Sequence, residues 1–352
     1  MSAGRRLLLL LAAWLALAAP LAARDSRGCD RLTDCTPRIG VVSAFGAEAD
    51  LLIAETRARR THVLAGRRFT TGMLRGNAVV IVLSGVSMVN AALVTQQLLD
   101  HFRVERLVMS GIAGGIDPTH HVGDVTVPDR WAMPMELFWT AGSALPAPCG
   151  APRDLSCLGL RLATGPDGAP LPPFVLQTPQ GPVETGLHMR ETWLLNAANA
   201  PAGGWMFDYP VDPRMLEVAR GLEPALARCG PRARRADGSL DEALCVRHPP
   251  RLRVGGRGVS APVFLANAQY RAYLHEVLQA QTFEMETAAL AHVAHANGVP
   301  YIAFRSLSDL AGAEGFDADV GALFASGLAE HNEAAVTLSF LAAWAAARDA
   351  AR

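Results

Sequence analysis

The amino-acid sequence predicts a layered α/β protein. Two observations lead to this prediction. Short β-branched runs alternate with stretches of helical spacing, and 50% of the 352 residues are apolar while 18% are charged. Strands that alternate with helices pack as a sheet covered by helical layers. The formal net charge of −1 leaves no basic excess for a phosphate backbone, so nucleic acid is not an expected partner.

Residues 1–23 are predicted to be a secretory signal peptide. Arg5 and Arg6 precede the apolar run Leu7–Leu17, and small residues follow it. The run is shorter than the roughly 20 apolar residues that span a bilayer. A basic start, a short apolar run and a small-residue end are typical of a cleaved leader. We expect a periplasmic or secreted protein without stable membrane insertion; a buried N-terminal helix is the alternative.

The six cysteines follow this leader as three pairs that are close in sequence. An even number of cysteines in an exported chain favours disulfides, and free buried thiols are the alternative. No C-x-x-C spacing of a zinc or redox site is present. The pairings with the shortest loops are Cys29–Cys35, Cys149–Cys157 and Cys229–Cys245.

In the first half of the chain, β-branched runs predict strands and 3.6-residue periodicity predicts helices. Gly76-Asn77 between two apolar runs is a hairpin signal. In chain order, the predicted elements are a strand at 38–44, a helix near Glu48, strands at 69–74 and 78–83, a helix from Met88, a strand at 106–110, a glycine-rich turn at 111–115 and a strand ending at Pro128.

Regular patterning stops at about residue 131 and resumes at about 205. The stretch 131–204 is rich in proline and glycine and is expected to be a long insertion made of loops. Asn297-Gly298 followed by Pro300 predicts the end of a helix that opens at Glu286. The other predicted elements are a helix at 212–222, strands at 251–254 and 259–265, a helix at 270–280, a strand at 301–307 leading to Asp309, and a helix at 319–347.

Three acidic residues stand at predicted strand or helix junctions: Glu48, Glu286 and Asp309. Ligands of open α/β sheets bind at the carboxyl ends of the strands. Each acid alone is consistent with a helix-dipole contact. Three acids at junctions on the same face suit acid–base chemistry on a neutral polar substrate.

Other sequence patterns that could indicate catalytic or binding chemistry are weak. The stretch 111–115 lacks the spacing of a dinucleotide-binding or P-loop fingerprint. His120-His121 has no third metal ligand nearby, and His292 and His295 are predicted to be packing or surface residues. All 32 basic residues are arginines, which excludes a Schiff-base or P-loop lysine. No metal and no cofactor are expected.

The segment EMETAALAHVAHANGVPYIAFRSLSD, which ends at Asp309, is similar to the nucleoside phosphorylase superfamily, as are GIAGGID and VGDVTVP. The similarity is greatest to 5′-methylthioadenosine/S-adenosylhomocysteine nucleosidases. The signal peptide and VFLANAQYR also resemble secreted members such as plant bark storage proteins. The resemblance implies a three-layer α/β/α sandwich with a mixed central sheet over residues 38–345, a small-molecule nucleoside substrate, a homodimer and no cofactor.

The resemblance also implies roles for individual residues. Asp309 matches the acid that protonates the leaving purine at N7, and Glu286 the carboxylate that holds the ribose hydroxyls. Glu48 matches the base that deprotonates the attacking water. Glycosidic cleavage through an oxocarbenium-like state needs such a proton donor and such a base. The further positions that match substrate-site residues are Ala113, Gly114, Phe264, Leu265, Met285, Arg305 and Ser308.

Two departures accompany the resemblance. Ile112 stands where the family commonly has serine or threonine, and Phe45-Gly46-Ala47 replaces an acidic run before Glu48.

Hydrolysis of purine nucleosides is the leading interpretation. A phosphate-dependent nucleoside phosphorylase and a non-catalytic nucleoside-binding or storage protein are the alternatives. Water is favoured as nucleophile because the segments 43–48 and 108–110 carry no arginine for phosphate.

Overall fold

The computed structural model describes residues 29–139, 192–312 and 325–350, together with short strands at 176–178, 181–183 and 187–189. The predicted signal peptide, the pair Cys149 and Cys157, and most of the predicted insertion lie outside the described residues. Among the described helices, none is both long and apolar enough to cross a membrane.

The elements of the first part of the chain follow one another with short connections. They are β1 (Asp34–Ser43), α1 (Gly46–Glu55), β2 (Arg57–Leu64), β3 (Arg67–Leu74), β4 (Asn77–Leu83), α2 (Met88–His101), β5 (Phe102–Gly115), β6 (Val125–Val127), β7 (Arg130–Ala132) and β8 (Leu137–Trp139).

The second part begins with short strands and ends with long helices. Its elements are β9 (Leu176–Thr178), β10 (Gly181–Val183), β11 (Leu187–Met189), β12 (Thr192–Leu194), β13 (Gly204–Met206), β14 (Asp208–Pro210), α3 (Pro213–Arg220), β15 (Leu252–Val254), β16 (Arg257–Ser260), α4 (Ala268–Leu278), β17 (Ala280–Glu284), α5 (Thr287–Asn297), β18 (Tyr301–Asp309) and α6 (Leu328–Ala350).

A mixed sheet of twelve strands forms the core, and β5 is its central strand. The middle of β5 pairs in parallel with β1 on one edge and with β18 on the other. Its last residues, Gly114 and Gly115, pair antiparallel with β17. Since β18 pairs with Leu107–Gly114 along one edge, β1 and β17 follow one another along the opposite edge. A pocket opens where these two strands separate.

Helices cover the sheet in two groups. In one group α2 packs on α5, and in the other α1 packs on α6, with α3 also against α6. β18 lies between them with all nine of its residues buried, as expected for a strand covered on both faces. The fold is therefore the predicted α/β sandwich with a mixed sheet, and the fold-class prediction is confirmed.

The glycine-rich stretch 111–115 is not a turn, and that prediction is wrong. These residues continue β5, because β18 pairs with Gly111–Gly114 and β17 pairs with Gly114 and Gly115. Glycines suit this strand because neighbouring side chains approach its backbone too closely for a Cβ. The chain turns only after Gly115.

Other element predictions need smaller corrections. The strand predicted at 259–265 ends at Ser260, and the helix predicted at 270–280 ends at Leu278, where β17 soon begins. β2 and β17 were not predicted. β2 has five exposed residues in succession and lacks an apolar face, while β17 is too short and polar to stand out. Both are ordered by pairing with a neighbouring strand, which depends on tertiary structure.

Two of the predicted disulfides are present, Cys29–Cys35 and Cys229–Cys245. The second closes a segment between α3 and β15. Glu242 lies near its sulfurs in a group with the spacing of a metal site. Because both sulfurs are bonded to each other, they offer no thiolate ligands to a metal.

Candidate active site

The pocket where β1 and β17 separate has a volume of about 220 Å³. Nine of the ten site residues predicted from the sequence line it, and the tenth, Arg305, is buried beneath it against Glu286. They come from five segments that are far apart in sequence and meet at the ends of β5, β17 and β18. The nine lining residues are Glu48, Ala113, Gly114, Phe264, Leu265, Met285, Glu286, Ser308 and Asp309.

Glu48 lies in the first turn of α1 and is almost completely buried. The backbone N–H groups of Ala44 and Phe45 donate to its Oε2 at 2.6 and 3.3 Å, and that of Ile112 donates to its Oε1 at 2.9 Å. Burial raises the pKa of Glu48, against the lowering effects of Arg305 and these N–H groups. Three hydrogen bonds therefore hold its carboxylate in place. Its affinity for a proton is higher than that of an ordinary glutamate side chain.

Ile112 occupies a position at which the superfamily commonly has a residue with a hydroxyl group. Its backbone N–H contacts Glu48, while its side chain packs against the cluster of Leu328 and Ala329. The backbone therefore keeps a hydrogen bond to the carboxylate although the side chain has no hydroxyl.

Glu284 and Glu286 have different roles at the start of α5. Glu286 is the N-cap residue, but its side chain makes no cap hydrogen bond. Glu284 accepts the N–H groups of Glu286 and Thr287 instead, at about 3.0 Å. The carboxylate of Glu286 is thus left facing the pocket, where the N–H of Ser87 donates to it at 2.8 Å.

The pKa of Glu286 is raised to about 7. Burial is the main cause, and the negative charge of Glu284 adds to it. Arg305 and the N–H of Ser87 act in the opposite direction. A carboxyl group with this pKa changes its charge near neutral pH.

Arg305 is fully buried in the middle of β18 and is the counter-charge of the site. Its guanidinium contacts Glu284, lies 3.4 Å from Glu286 and 3.9 Å from Glu48, and donates to Thr287 Oγ1 at 2.9 Å. Burial opposes its charge, but the three carboxylates hold the pKa of Arg305 above its ordinary value. One cation therefore serves three buried acids.

Asp309 ends β18 at the pocket wall. The N–H of Ala311 donates to its Oδ1 at 2.7 Å, and the hydroxyl of Ser308 donates to its Oδ2 at 2.8 Å. Ser308 Oγ also lies 3.2 Å from the carbonyl oxygen of Ala113. A Cβ on Gly114 would lie 2.8 Å from Asp309 Oδ1, so glycine is needed there to admit the carboxylate.

Glu333, on α6, is a further buried acid that sequence reasoning did not single out. Its carboxyl group bonds to Ser110 Oγ, which is also 2.7 Å from Thr337 Oγ1. Burial raises the pKa of Glu333 well above its usual value, and the charge of Glu48 adds to this effect. The available sequence signal was an acid within the apolar stripe of the last helix.

Another part of the pocket wall is apolar. Leu265 is buried, whereas 66% of the Phe264 surface is exposed, which places the aromatic ring at the mouth. Both residues lie in the loop after β16 rather than in the strand that was predicted. Phe283 and Met285 line the pocket beside them. The site thus combines acidic groups on one side with an apolar surface for a flat ligand.

Gly111→Ala is expected to disturb the acidic side directly. A Cβ there would lie 2.3 Å from Arg305 Nη1 and 2.5 Å from Glu48 Oε1. Overpacking of this kind costs about 1–3 kcal/mol of stability, and a shift of about 1 Å in a catalytic group costs up to about 10²-fold in rate. Urea denaturation and base-release rates measure both effects. Gly204→Ala is the control, since its Cβ would meet nothing closer than 3.6 Å; equal behaviour of the two variants would contradict the prediction.

Comparison with known proteins decides the family. The model of the family described as "Phosphorylase superfamily" matches residues 38–342, which is most of the chain. The chain belongs to the phosphorylase superfamily. The resemblance read from the segments around Glu286, Asp309 and the glycines of β5 is confirmed.

Relatives within the phosphorylase superfamily are of moderate identity. An uncharacterized protein of Mycobacterium tuberculosis is 34% identical over 141 residues, which is 38% of this chain and 57% of that protein. A 5′-methylthioadenosine/S-adenosylhomocysteine nucleosidase of Chromohalobacter salexigens is 27% identical over 282 residues, 79% of this chain and 86% of that enzyme. The match to the mycobacterial protein therefore spans little more than half of its length.

A solved structure has the same fold. It is a 5′-methylthioadenosine/S-adenosylhomocysteine nucleosidase from Colwellia psychrerythraea in complex with adenine. It superposes with a TM-score of 0.56 at 21% identity, over 87% of this chain and 94% of that one. At this identity the likeness establishes the phosphorylase-superfamily fold, and the ligand named there belongs to that protein.

Proposed function

We propose that this protein hydrolyses the N-glycosidic bond of purine nucleosides of the 5′-methylthioadenosine, S-adenosylhomocysteine or adenosine type and releases the base. The observation that carries the proposal is the placement of Glu48, Glu286 and Asp309 around one small pocket. Their surroundings differ, and carboxylates in different surroundings can take the acid and base roles of glycosidic cleavage.

Each acid has a proposed step. Asp309 gives a proton to N7 of the purine as the bond to the sugar breaks, so that the base leaves neutral. Glu48 takes a proton from the water that attacks the anomeric carbon, and its raised pKa suits that transfer. Glu286 accepts hydrogen bonds from the ribose hydroxyls and adds negative charge beside the developing oxocarbenium ion. The sum is nucleoside plus water giving free base and free sugar.

Water is the proposed nucleophile rather than phosphate. No arginine or histidine lines the pocket among the residues that the structure describes. Arg305, beneath it, is already engaged by Glu284, Glu286 and Glu48. A bound phosphate would need cationic donors and would face these carboxylates.

Base release from 5′-methylthioadenosine and adenosine in phosphate-free buffer tests the proposal. We expect adenine and free sugar in equal amounts, with a rate unaffected by added orthophosphate. Sugar 1-phosphate that forms only with orthophosphate would establish the phosphorylase alternative. Nucleoside binding without turnover in either buffer would establish the non-catalytic alternative.

The pKa of Glu286 leads to a prediction of pH dependence. Its ionised form accepts hydrogen bonds from the ribose hydroxyls, so kcat/KM should fall about tenfold per pH unit below the group's pKa of about 7. Glu286→Gln should lower kcat/KM and change this acidic limb, because the amide does not titrate and any limb that remains belongs to Glu48. Glu223→Gln, at an exposed acid, is the control. An unchanged limb in Glu286→Gln would contradict the assignment.

A homodimer is part of the proposal. Val86, which precedes α2, and Val89 and Leu93, in its first half, are 48%, 79% and 47% exposed, and Val86 also lines the pocket. Exposed apolar side chains at the rim of a site favour a protein contact there. Light scattering coupled to size-exclusion chromatography measures the mass, and a monomer at micromolar concentration would contradict this part.

Export to the periplasm or the medium is also proposed. The Cys29–Cys35 and Cys229–Cys245 disulfides support it, because such bonds persist in oxidising compartments. Thiol titration of the unreduced, denatured protein is expected to find no free thiol at these four positions. Six reactive thiols in protein isolated from its host would contradict the prediction.

A further inference from the structure

A second pocket, of about 310 Å³, lies apart from the acidic one and shares none of its lining residues. It lies between the turn that follows β5 and the segment that leads into β15. Two arginines and two histidines supply most of its wall, and no acid is among the lining residues. They are Thr119, His121, His248, Pro249, Arg251 and Arg253.

Asp124 holds the residues of this second pocket in place. It is fully buried and accepts three hydrogen bonds: from the backbone N–H of His121 at 3.2 Å, the backbone N–H of Arg251 at 2.7 Å and Nε of Arg253 at 3.2 Å. One carboxylate thus ties together three of the lining residues. Groups held in this way bind a ligand without a large ordering cost.

The histidines are held as well. The rings of His121 and His248 stack at 4.1 Å with an interplanar angle of 13°. His248 lies between the Cys229–Cys245 disulfide and the prolines Pro249 and Pro250, which restrict its backbone. Each imidazole offers at least one N–H donor.

The positive charge of this pocket exceeds the negative charge near it. Arg251 makes no ion pair with any acid in the described part of the chain, whereas Arg253 is paired with Asp124. Asp117, the other acid nearby, lies beside Thr119, accepts its N–H and hydroxyl, and does not line the pocket. The guanidinium of Arg251 therefore has no counter-ion among the described residues.

We propose that this pocket binds a small phosphate-type dianion, either orthophosphate or the phosphate group of a small phosphomonoester. Arginine forks match phosphate oxygens with two parallel hydrogen bonds. Four donor side chains suit four phosphate oxygens better than they suit the two oxygens of a carboxylate. It is separate from the proposed catalysis, in which phosphate takes no part.

Calorimetric titration of the intact protein with orthophosphate and, separately, with glycerol 3-phosphate tests this inference. Arg251→Gln and His248→Asn should each weaken binding about tenfold, since one charge-assisted hydrogen bond is lost. Base release in phosphate-free buffer should stay unchanged in both variants. Arg57→Gln is the control, because Arg57 is an exposed arginine outside both pockets.

The two titrations distinguish the sources of the anion. Tighter binding of orthophosphate indicates a free-ion site, and tighter binding of glycerol 3-phosphate indicates a phosphomonoester site; either result supports the inference. Two outcomes overturn it: no heat with either anion at millimolar concentration, or binding that Arg251→Gln and His248→Asn leave unchanged. Neither overturning outcome affects the proposed hydrolysis, which is measured by base release.

Discussion

Asp309→Asn is expected to lower kcat for adenine release by about 10²–10⁴-fold, the usual contribution of general acid catalysis. Asparagine has nearly the same shape and keeps an oxygen for the N–H of Ala311, while its amide NH2 replaces the oxygen that accepts from Ser308 and can donate to the Ser308 hydroxyl instead. It has no acidic proton for the leaving purine. The folded structure should therefore survive while the chemical step is lost.

The control for this variant is Asp50→Asn on α1, where the carboxylate is exposed. Both variants should unfold at the same urea concentration as the parent protein. Rates are compared at saturating nucleoside, so that a change in binding is separated from a change in the chemical step. Near-parental turnover in Asp309→Asn would remove this residue from the mechanism.

Arg305→Met is expected to lower the free energy of unfolding by about 3–5 kcal/mol, the cost of leaving buried charge without a partner. Glu284, Glu286 and Glu48 all lose their common counter-charge in this variant. Methionine fills part of the same volume, so the loss reflects charge more than a cavity. Urea denaturation at pH 7 measures the change.

A double variant separates charge from packing. Arg305→Met with Glu284→Gln removes one of the stranded carboxylates and should recover part of the lost stability. Arg57→Met, at an exposed arginine, should change the free energy of unfolding by less than about 0.5 kcal/mol. A loss below about 1 kcal/mol in Arg305→Met, or no recovery in the double variant, would show that Arg305 is not the counter-charge that the geometry indicates.

Local sequence signals were sufficient to predict the part of the site that α5 and β18 form. Gly298 adopts the left-handed conformation, with φ of +66°, that its position after a helix predicted. The stretch 301–307, predicted to be a strand, forms a fully buried one that continues to Asp309. These features depend on residues only a few positions apart, so the sequence contains them directly.

Other elements depend on the pairing of strands that are far apart in the sequence. The glycines at 111–115 read as a turn because glycine is a turn residue in most contexts. In the folded protein they form a strand between β17 and β18, and Gly111 and Gly114 make room for Glu48 and Asp309. No local pattern contains that information, because the crowding side chains come from distant segments.

Sequence patterns were sufficient for the fold class, the family and the positions of Glu48, Glu286 and Asp309 at element junctions. The electrostatics of these three acids depend on the tertiary structure. Arg305 serves three acids because β1, β17 and β18 end at the same place. The proton affinity of a carboxyl group depends on its burial and on charges within a few ångströms. Those neighbours are set by packing rather than by sequence distance.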